Sequence, residues 1–352
     1  MRSQRHLRVA ILGPIAWRVP PRDYGGWELV AYNHAEGLAR LGVDVTLFAA
    51  RDAQTSTRLA GVVPRALSED PSLPPRACET LHAAACFEHA GEFDVIHNHA
   101  GAYPVCFKRL VNIPVVTTLH GSAAEADSRL IYEHYAEGPY VSVSDAERAL
   151  APTLHYAGTV YNGIDVHAFS FRPQPNRYLL FLGRLSPVKG VHLAIEVARR
   201  AELPLIIAGI VPPEDQTYFQ SAIAPHLDGD RVRFVGPADQ ARKNALLGGA
   251  LALLHLIQYH DAFGLTVIEA NACGTPVVAT ARGSIPELVR NGETGWIVGG
   301  VDDAVDAVAS LGEISRARCR EWVASRFTVT HMARGYLDVY DRVLAGGTAV
   351  IA

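Results

Sequence analysis

Short, unbroken runs of apolar residues alternate, along nearly the whole chain, with segments whose apolar positions recur every three or four residues. Runs without polar alternation are typical of strands buried on both faces of a parallel sheet. In the segments between them, spacings such as Val191, Ala194, Ile195 and Ala198 predict helices with one apolar face. We therefore predict an α/β fold built from doubly wound parallel sheets. The predicted strands are Leu7–Gly13, Val43–Ala49, Phe93–His97, Pro114–His120, Tyr140–Val143, Tyr178–Gly183, Pro204–Gly209, Val232–Gly236, Leu251–His255, Pro276–Ala279 and Gly295–Val298.

One segment near the middle of the chain interrupts this alternation. Residues 171–177, FRPQPNR, contain two prolines and no apolar periodicity, and a new strand follows at once. A chain of 352 residues also suits two domains of ordinary size. We therefore predict an N-terminal Rossmann-like domain over residues 1–170, a linker over 171–177 and a second Rossmann-like domain over 178–329. A last helix, over 330–346, is predicted to pack on one of the two domains, with packing back on the N-terminal domain as one alternative.

Ligands of open parallel sheets bind beyond the carboxyl ends of the strands. Two doubly wound domains are therefore expected to face each other across a ligand-binding cleft. The residues with distinctive chemistry should lie in the loops that leave the strands, and the sequence places its unusual residues there.

The composition disfavours several other classes of protein. With 49% hydrophobic and 19% charged residues the chain is not expected to be disordered, and a net charge of -4 disfavours a nucleic-acid-binding protein. Its five cysteines show no zinc-ligand spacing and suit a reduced compartment. No apolar stretch approaches the length of a membrane-spanning helix. We expect a cytoplasmic protein without an integral membrane segment, and leave open attachment to a membrane surface.

Glycine and histidine mark the loops of the predicted N-terminal domain. Tyr24, Gly25 and Gly26 lie between the first strand and a helix, where paired glycines let backbone N–H groups approach an anion. The alternative is a plain glycine turn. His97, His99 and His120 lie at strand ends, where imidazoles can bind sugar hydroxyls or phosphate, or transfer protons. The carboxylates that would complete a metal site are missing, so no metal is expected, and a buried structural histidine remains the alternative for His97 and His99.

The second predicted domain begins with a candidate anion site. In FLGRLSPVKG a strand ends at Gly183, and Arg184 and Lys189 bracket the start of the following helix. Two cations beside a helix N-terminus would form a seat for a diphosphate. Lysine is scarce in this chain, since only Lys108, Lys189 and Lys243 occur, which makes a chance placement of Lys189 less plausible.

The longest signal is HDAFGLTVIEANACGTP over residues 260–276, in which Asp261 and Glu269 are separated by seven residues. Asp261 is predicted in the loop before a helix and Glu269 inside that helix. The loop at Phe263, Gly264 and Leu265 would offer backbone N–H groups to phosphate or sugar. A buried carboxylate such as Glu269 could bind a diol, with each hydrogen bond worth roughly 1.5–3 kcal/mol.

At this point the chain resembles the family-4 retaining glycosyltransferases, the glycosyl transferases group 1 of GT-B architecture. The resemblance covers nearly the whole chain because its motifs follow in the order of that family. The matching stretches are YGGWELV, FDVIHNHAG, VVTTLHG, VSVSDAER, YNGIDVHAF, FLGRLSPVKG, RVRFVG, DAFGLTVIEANACGTPVVAT and ARGSIPELVRNGETGWIV. The resemblance implies retaining transfer of a hexose-type sugar from a nucleotide sugar to a hydroxyl acceptor, with no cofactor and no essential metal.

The resemblance also implies roles for individual residues. Those roles place Gly25 and Gly26 under the donor diphosphate and His120 beside the transferred sugar, whereas Glu269 would hold the ribose. Asp261 stands where the family carries a glutamate, and its shorter side chain puts the reach to the sugar in doubt. The resemblance also implies that Arg184 and Lys189 bind the diphosphate. Backbone groups of the loop would bind the donor, at Phe263, Gly264, Leu265 and Thr266. Candidate contacts to the acceptor or the sugar are His97, His99 and Tyr24.

The sequence does not determine the substrates. A UDP-sugar is the first expectation and a GDP-sugar the second, and the acceptor could be a glycan, a lipid-linked glycan or a small natural product. Formation of a homo-oligomer is also left open. Two alternative functions remain: a sugar-nucleotide epimerase or hydrolase of the same architecture, and a nucleotide-sugar-binding protein whose catalysis has weakened at Asp261.

Overall fold

The computed structural model describes residues 7–121, 123 and 125–346. The chain folds into two compact units. The first unit holds the described residues up to Gly163 together with those from Val329 onward, and the second is Ile164–Thr328. Each unit contains a parallel sheet covered by helices, so the prediction of two doubly wound α/β domains is confirmed.

The first unit is built on a seven-stranded parallel sheet of order β3-β2-β1-β4-β5-β6-β7. The order reverses direction between β1 and β4, which creates a topological switch point beyond the carboxyl ends of these two strands. Its strands are β1 Arg8–Leu12, β2 Asp44–Phe48, β3 Arg58–Ala60, β4 Val95–Asn98, β5 Val115–Leu119, β6 Tyr140–Ser142 and β7 Tyr156–Thr159. Its helices are α1 Gly26–Arg40, α2 Pro75–Glu88, α3 Ala126–His134, α4 Asp145–Arg148 and α12 Val329–Leu344.

The second unit repeats this topology with a six-stranded parallel sheet of order β10-β9-β8-β11-β12-β13. Here the switch point lies between β8 and β11. Its strands are β8 Leu179–Leu182, β9 Leu205–Ala208, β10 Val232–Phe234, β11 Ala252–His255, β12 Val277–Thr280 and β13 Gly295–Val298. Its helices are α5 Val191–Arg200, α6 Gln216–Tyr218, α7 Gln240–Gly249, α8 Leu265–Ala272, α9 Ile285–Leu288, α10 Val301–Ala309 and α11 Arg316–Arg326.

The division between the units differs from the predicted linker at 171–177. Residues 164–177 fall within the second unit because hydrogen bonds anchor them there: the N–H of Ile164 donates to the carbonyl of Phe327, and the guanidinium of Arg320 donates to the carbonyls of Val166 and Phe169. The two prolines therefore lie inside a unit and not at its boundary.

The last helix, α12, falls in the first unit and packs closely against α1. A methyl group added at Gly37 of α1 would lie 2.8 Å from a side-chain carbon of Val329 and 2.9 Å from that of Ala333. Distances this short show that the absence of a side chain at Gly37 permits the close helix contact. No helix in the described part of the chain has the length and hydrophobicity needed to cross a membrane.

Candidate active site

The loops that follow β8 and β11 meet at the switch point of the second unit. The N–H of Gln258 in one loop donates to the carbonyl of Val188 in the other at 2.7 Å. Gly190 adopts a left-handed conformation, φ +75°, and a methyl group there would lie 2.0 Å from the carbonyl oxygen of Leu256. The turn that carries Lys189 is thus held against the neighbouring loop at a distance that glycine permits.

Lys189 lies in this corner with its ammonium group largely buried. Its Nζ lies 3.6 Å from a carboxylate oxygen of Asp261, is hydrogen-bonded to the hydroxyl of Tyr259, and stands 4.7 Å from the centre of that ring. Burial lowers the pKa of Lys189, and the Asp261 carboxylate partly opposes that shift. A bound anion would further favour the charged form of this lysine.

Arg184 leaves the end of β8 beside Lys189, and its charge contributes to the lowered pKa of that lysine. Its Nε is buried and has no hydrogen-bond partner among the described residues. Buried polar atoms are usually paired, so an unpaired guanidinium N–H suits a ligand with acceptor oxygens. Two buried hydroxyl groups of the same unit, after β8 and after β12, also make no hydrogen bond to a described residue: those of Ser186 and Ser284.

Asp261 follows β11 and its side chain is 14% exposed. Burial alone would favour its protonated form, but the neighbouring His255 and Lys189 lower the pKa of this carboxyl well below its usual range. The backbone of Asp261 also packs closely against Gly283. A methyl group at position 283 would lie 2.1 Å from the carbonyl oxygen of Asp261, so only glycine permits this contact. The N–H of Ser284 donates to that same carbonyl at 2.9 Å. Asp261 is therefore an ionised group in a tightly packed loop.

The structure places the predicted loop Phe263-Gly264-Leu265-Thr266 at the N-terminus of α8. Gly264 precedes the first helical residue, Leu265, as the N-cap. The N–H of Leu265 already donates to the carbonyl of Phe263 at 3.1 Å, so it is not a free donor as the sequence suggested. Phe263 itself is buried against the ring of Phe327 at 6.2 Å between centroids.

Glu269 projects from α8 into the protein interior, where its side chain is 3% exposed. One carboxylate oxygen lies 2.6 Å from Nζ of Lys243 on α7. A buried carboxylate is usually paired with a cation, and Lys243 supplies that charge. Sequence reasoning missed Lys243 because it lies in no motif, although the scarcity of lysine in this chain was a signal that could have drawn attention to it.

The first unit gathers a second group of predicted residues around α1. Gly25, with φ +140°, is the N-cap of this helix and Gly26 its first residue, and Tyr24 packs edge-on against Trp17 at 5.2 Å. The indole of Trp27, 40% exposed, lies 5.6 Å from the imidazole of His120 at the end of β5. The glycine turn and His120 are thus neighbours through Trp27.

His97 and His99 differ from their predicted role as acceptor or sugar contacts. Both are fully buried, and both ring nitrogens of each are hydrogen-bonded within the protein. His97 bonds to Tyr340 and Thr118, at 2.7 Å each, and has no nitrogen left for substrate. Nδ1 of His99 is hydrogen-bonded to Nε2 of His120 at 2.8 Å, so His99 could influence a ligand only through that residue.

These histidines also form the one cluster in the described residues whose geometry could hold a metal ion. One ring nitrogen each from His34, His97 and His99 lie within 4.8 Å of one another. In this structure their nitrogens are hydrogen-bonded to other imidazoles or to hydroxyl groups. A metal ion at this position would have to replace those bonds.

Glu28, in the first turn of α1, is a buried acid that sequence reasoning overlooked. It is 3% exposed and accepts a hydrogen bond from the N–H of Trp17 at 3.0 Å. Burial raises the pKa of this carboxyl to about 7, despite the hydrogen bonds from backbone N–H groups that oppose the shift. Its burial against the backbone of Trp17 could be inferred only from the fold.

The raised pKa of Glu28 predicts a specific dependence of stability on pH. Because the folded state retains the proton that the unfolded state has lost, the contribution of Glu28 to stability is greatest below about pH 4.5 and falls as pH rises toward 7. The loss amounts to about 3 kcal/mol. We expect Glu28→Gln to remove this loss, so that urea unfolding at pH 8 shows a more stable variant than the wild type.

A suitable comparison is Glu36→Gln in the same helix. Burial alone would raise the pKa of Glu36. Hydrogen bonds from Ser56 and Thr55 have the larger combined effect, so the pKa of this carboxyl is lowered. This substitution should therefore lower stability at pH 8. If the free energy of unfolding of Glu28→Gln changed with pH in parallel with that of the wild type, the raised pKa of Glu28 would be contradicted.

Comparison with known proteins gives matches over most of the chain. The profile described as Glycosyl transferases group 1 matches residues 165–323, and that described as Glycosyltransferase Family 4 matches residues 24–168. One similar protein is the D-inositol 3-phosphate glycosyltransferase of Mycobacterium avium (strain 104), which is 28% identical over an alignment of 393 positions, including gaps, that covers 92% of this chain and 90% of that protein.

Two solved structures share the fold at lower sequence identity. Sucrose-phosphate synthase from Thermosynechococcus elongatus superimposes with a TM-score of 0.79 at 20% identity, covering 97% of this chain and 100% of the other. The Anabaena protein HepE, in complex with UDP-glucose, gives a TM-score of 0.73 at 18% identity, covering 97% and 100%. At such identities the likeness shows the architecture alone.

Proposed function

Because the chain belongs to family 4 of the glycosyltransferases, we propose that it transfers a hexose-type sugar, with retention, from a UDP-sugar to a hydroxyl acceptor. The observation that carries this proposal is the corner between β8 and β11, where Arg184 and Lys189 lie together and the Nε of Arg184 is buried without a partner among the described residues. These cations suit the diphosphate of a nucleotide sugar.

The chemical requirement follows from the bond that breaks. As the bond from the anomeric carbon to the phosphate oxygen is cleaved, negative charge grows on the leaving diphosphate. Arg184 and Lys189 would stabilise that charge from fixed positions. The acceptor oxygen forms the new bond on the same face, and its proton passes to the leaving phosphate oxygen. This route needs no protein carboxylate beneath the anomeric carbon, unlike a covalent glycosyl-enzyme mechanism.

The other donor contacts are assigned on the same proposal. Glu269 would bind the ribose hydroxyls, and its ion pair with Lys243 at 2.6 Å orients its carboxylate. Asp261, fixed by Lys189 and by the backbone at Gly283, would face the sugar. HepE, which shares the fold, is solved in complex with UDP-glucose, and UDP is therefore the first nucleotide to test on this chain.

The test begins with ligand-induced stabilisation. UDP, GDP, TDP, ADP and CDP are compared by thermal unfolding, with magnesium and with EDTA, and uridine serves as the control that lacks the diphosphate. A ligand that binds only the folded protein stabilises it by about 2.7 kcal/mol at 100 times its Kd. We expect a clear shift with UDP, independent of magnesium, and little shift with uridine. Absence of a shift with every nucleotide would contradict the proposal.

Turnover is then measured with UDP-sugars and an acceptor panel that includes D-inositol 3-phosphate, for which the Mycobacterium relative is named. NMR of the anomeric proton of the product reports retention or inversion. Hydrolysis or epimerisation of the donor without acceptor would favour the alternative enzyme classes. Binding of UDP with no turnover of any donor would favour a nucleotide-sugar-binding protein.

A further inference from the structure

A continuous chain of hydrogen bonds runs from the interior of the first unit to His120. Two of its links join imidazoles directly: His120 Nε2 to His99 Nδ1, and His99 Nε2 to His34 Nδ1, each at 2.8 Å. His34 Nε2 continues to the hydroxyl of Tyr340 at 3.2 Å. The remaining links are Tyr340 to His97 Nδ1 at 2.7 Å, His97 Nε2 to Thr118 Oγ1 at 2.7 Å, and Thr118 Oγ1 to the hydroxyl of Tyr336 at 3.1 Å.

The buried end of this chain determines which atom donates in every bond. Tyr336 is fully buried, and among the described residues Thr118 is the hydrogen-bond partner of its hydroxyl. A buried hydroxyl without an acceptor for its hydrogen is strongly disfavoured, so Tyr336 donates to Thr118. Thr118 then donates to Nε2 of His97. A neutral imidazole carries one hydrogen, so His97 carries it on Nδ1.

The same rule applies at each following link. His97 Nδ1–H donates to the oxygen of Tyr340, whose own hydrogen is donated to Nε2 of His34. His34 therefore carries its hydrogen on Nδ1 and donates it to Nε2 of His99. His99 in turn donates from Nδ1 to Nε2 of His120. The hydrogen of His120 is left on Nδ1.

We propose that this chain holds His120 as the Nδ1–H tautomer, which donates a hydrogen bond to a sugar hydroxyl of the substrate, and that Tyr336 and Tyr340 are its positioning residues. The inference rests on the proposed glycosyltransferase function. It adds to that function the direction of the His120 hydrogen bond and a part for the C-terminal helix α12, which carries both tyrosines.

Two observations fit a donor directed at a ligand. Among the described residues, Nδ1 of His120 has no hydrogen-bond partner, and the neighbouring Trp27 is partly exposed. Burial also lowers the pKa of the four imidazoles, that of His120 to about 3, so each carries a single hydrogen at neutral pH. The argument for one hydrogen per ring therefore holds under ordinary assay conditions.

The first test measures the tautomer of His120 in the wild-type protein. Nitrogen-15 NMR of histidine-labelled protein distinguishes a protonated from an unprotonated ring nitrogen, and a sample of His120→Gln assigns the signals. We expect His120, without ligand, to be protonated at Nδ1 and unprotonated at Nε2. Protonation at Nε2 of His120 would overturn the proposal, whatever the outcome of the activity assays.

The second test cuts the chain at Tyr340→Phe, with Tyr140→Phe as the matched control. Tyr140 is a buried tyrosine of the same unit whose hydroxyl donates to the carbonyl of Tyr135 at 2.9 Å, away from the histidines. We expect Tyr340→Phe, and not the control, to give a mixture of His120 tautomers. It should also lower kcat/KM for the sugar nucleotide about 3- to 30-fold, because a hydrogen bond to the sugar is lost.

Binding of UDP alone separates this role from a general loss of structure. UDP lacks the transferred sugar, so its Kd should be the same for wild type and Tyr340→Phe. An equal loss of UDP affinity and of turnover would mean that Tyr340 is structural and would overturn the positioning role. If UDP does not bind the wild type, the proposed function fails, whereas the tautomer measurement still decides the state of His120.

Discussion

Replacement of Lys189 with methionine is expected to lower kcat/KM for the nucleotide sugar by about 30- to 1,000-fold, equivalent to roughly 2–4 kcal/mol. Methionine keeps much of the length and apolar volume of lysine, so the substitution removes mainly the charge. That charge lies 3.6 Å from the Asp261 carboxylate and would contact the leaving diphosphate. Without it, the Asp261 carboxylate would repel the diphosphate that we propose binds there. Steady-state kinetics and UDP titration measure both effects.

Lys108 provides a matched control for this substitution. Its side chain is 13% exposed, compared with 19% for Lys189, and it lies 3.5 Å from the Glu137 carboxylate and 5.8 Å from the ring centre of Tyr135. Lys108→Met therefore removes a similar ion pair and a similar contact with an aromatic ring, outside the candidate site. Equal losses of activity in the two variants would show that the effect of Lys189→Met is structural.

The second large effect is expected for Gly190→Ala. A methyl group at this position would lie 2.0 Å from the carbonyl oxygen of Leu256, so the turn that carries Lys189 must move away from the neighbouring loop. Because the left-handed φ of +75° adds backbone strain, we expect a loss of about 3–5 kcal/mol in the free energy of unfolding. UDP affinity should fall as well, since the turn positions Lys189. Urea unfolding and UDP titration provide the measurements.

Gly229→Ala isolates the contribution of backbone strain. Gly229 has nearly the same φ, +77°, but a methyl group there would meet no other atom within 4 Å. Its loss should be about 1–2 kcal/mol, the cost of placing an ordinary residue in the left-handed region. If both substitutions lowered the free energy of unfolding by the same amount, the contact between a methyl group at position 190 and Leu256 would add no cost of its own.

Much of the fold could be predicted because most strands are buried on both faces. Eleven apolar runs in the sequence correspond to strands of the two sheets, and the two described strands that were not predicted, β3 and β7, lie at the edges of the first sheet. Arg58–Ala60 of β3 is only partly buried, and β7 alternates buried and half-buried residues around Gly158. These two edge strands have fewer neighbours and their sequences lack a continuous apolar run, whereas β10 and β13, the edge strands of the second sheet, were predicted.

The site divides in a similar way between local and long-range information. Arg184, Lys189, Asp261 and Glu269 lie in loops and helices whose motifs are contiguous in sequence, so the sequence alone was enough to propose them as site residues. Lys243, by contrast, is 26 residues from the Glu269 that it neutralises, which no local spacing could indicate. The strand-end histidines were predicted as separate ligand contacts, because their connection depends on tyrosines more than 200 residues away.

The return of α12 to the first unit has a consequence for the order in which the protein folds during synthesis. The second unit is one continuous segment, Ile164–Thr328, and all of it has been made before the helix Val329–Leu344 emerges. Until then α1 lacks the helix that packs against Gly37, and the buried histidines lack both tyrosine partners. The half of the chain that is translated first is therefore completed last, and nascent chains should show a protease-resistant second unit before a resistant first one.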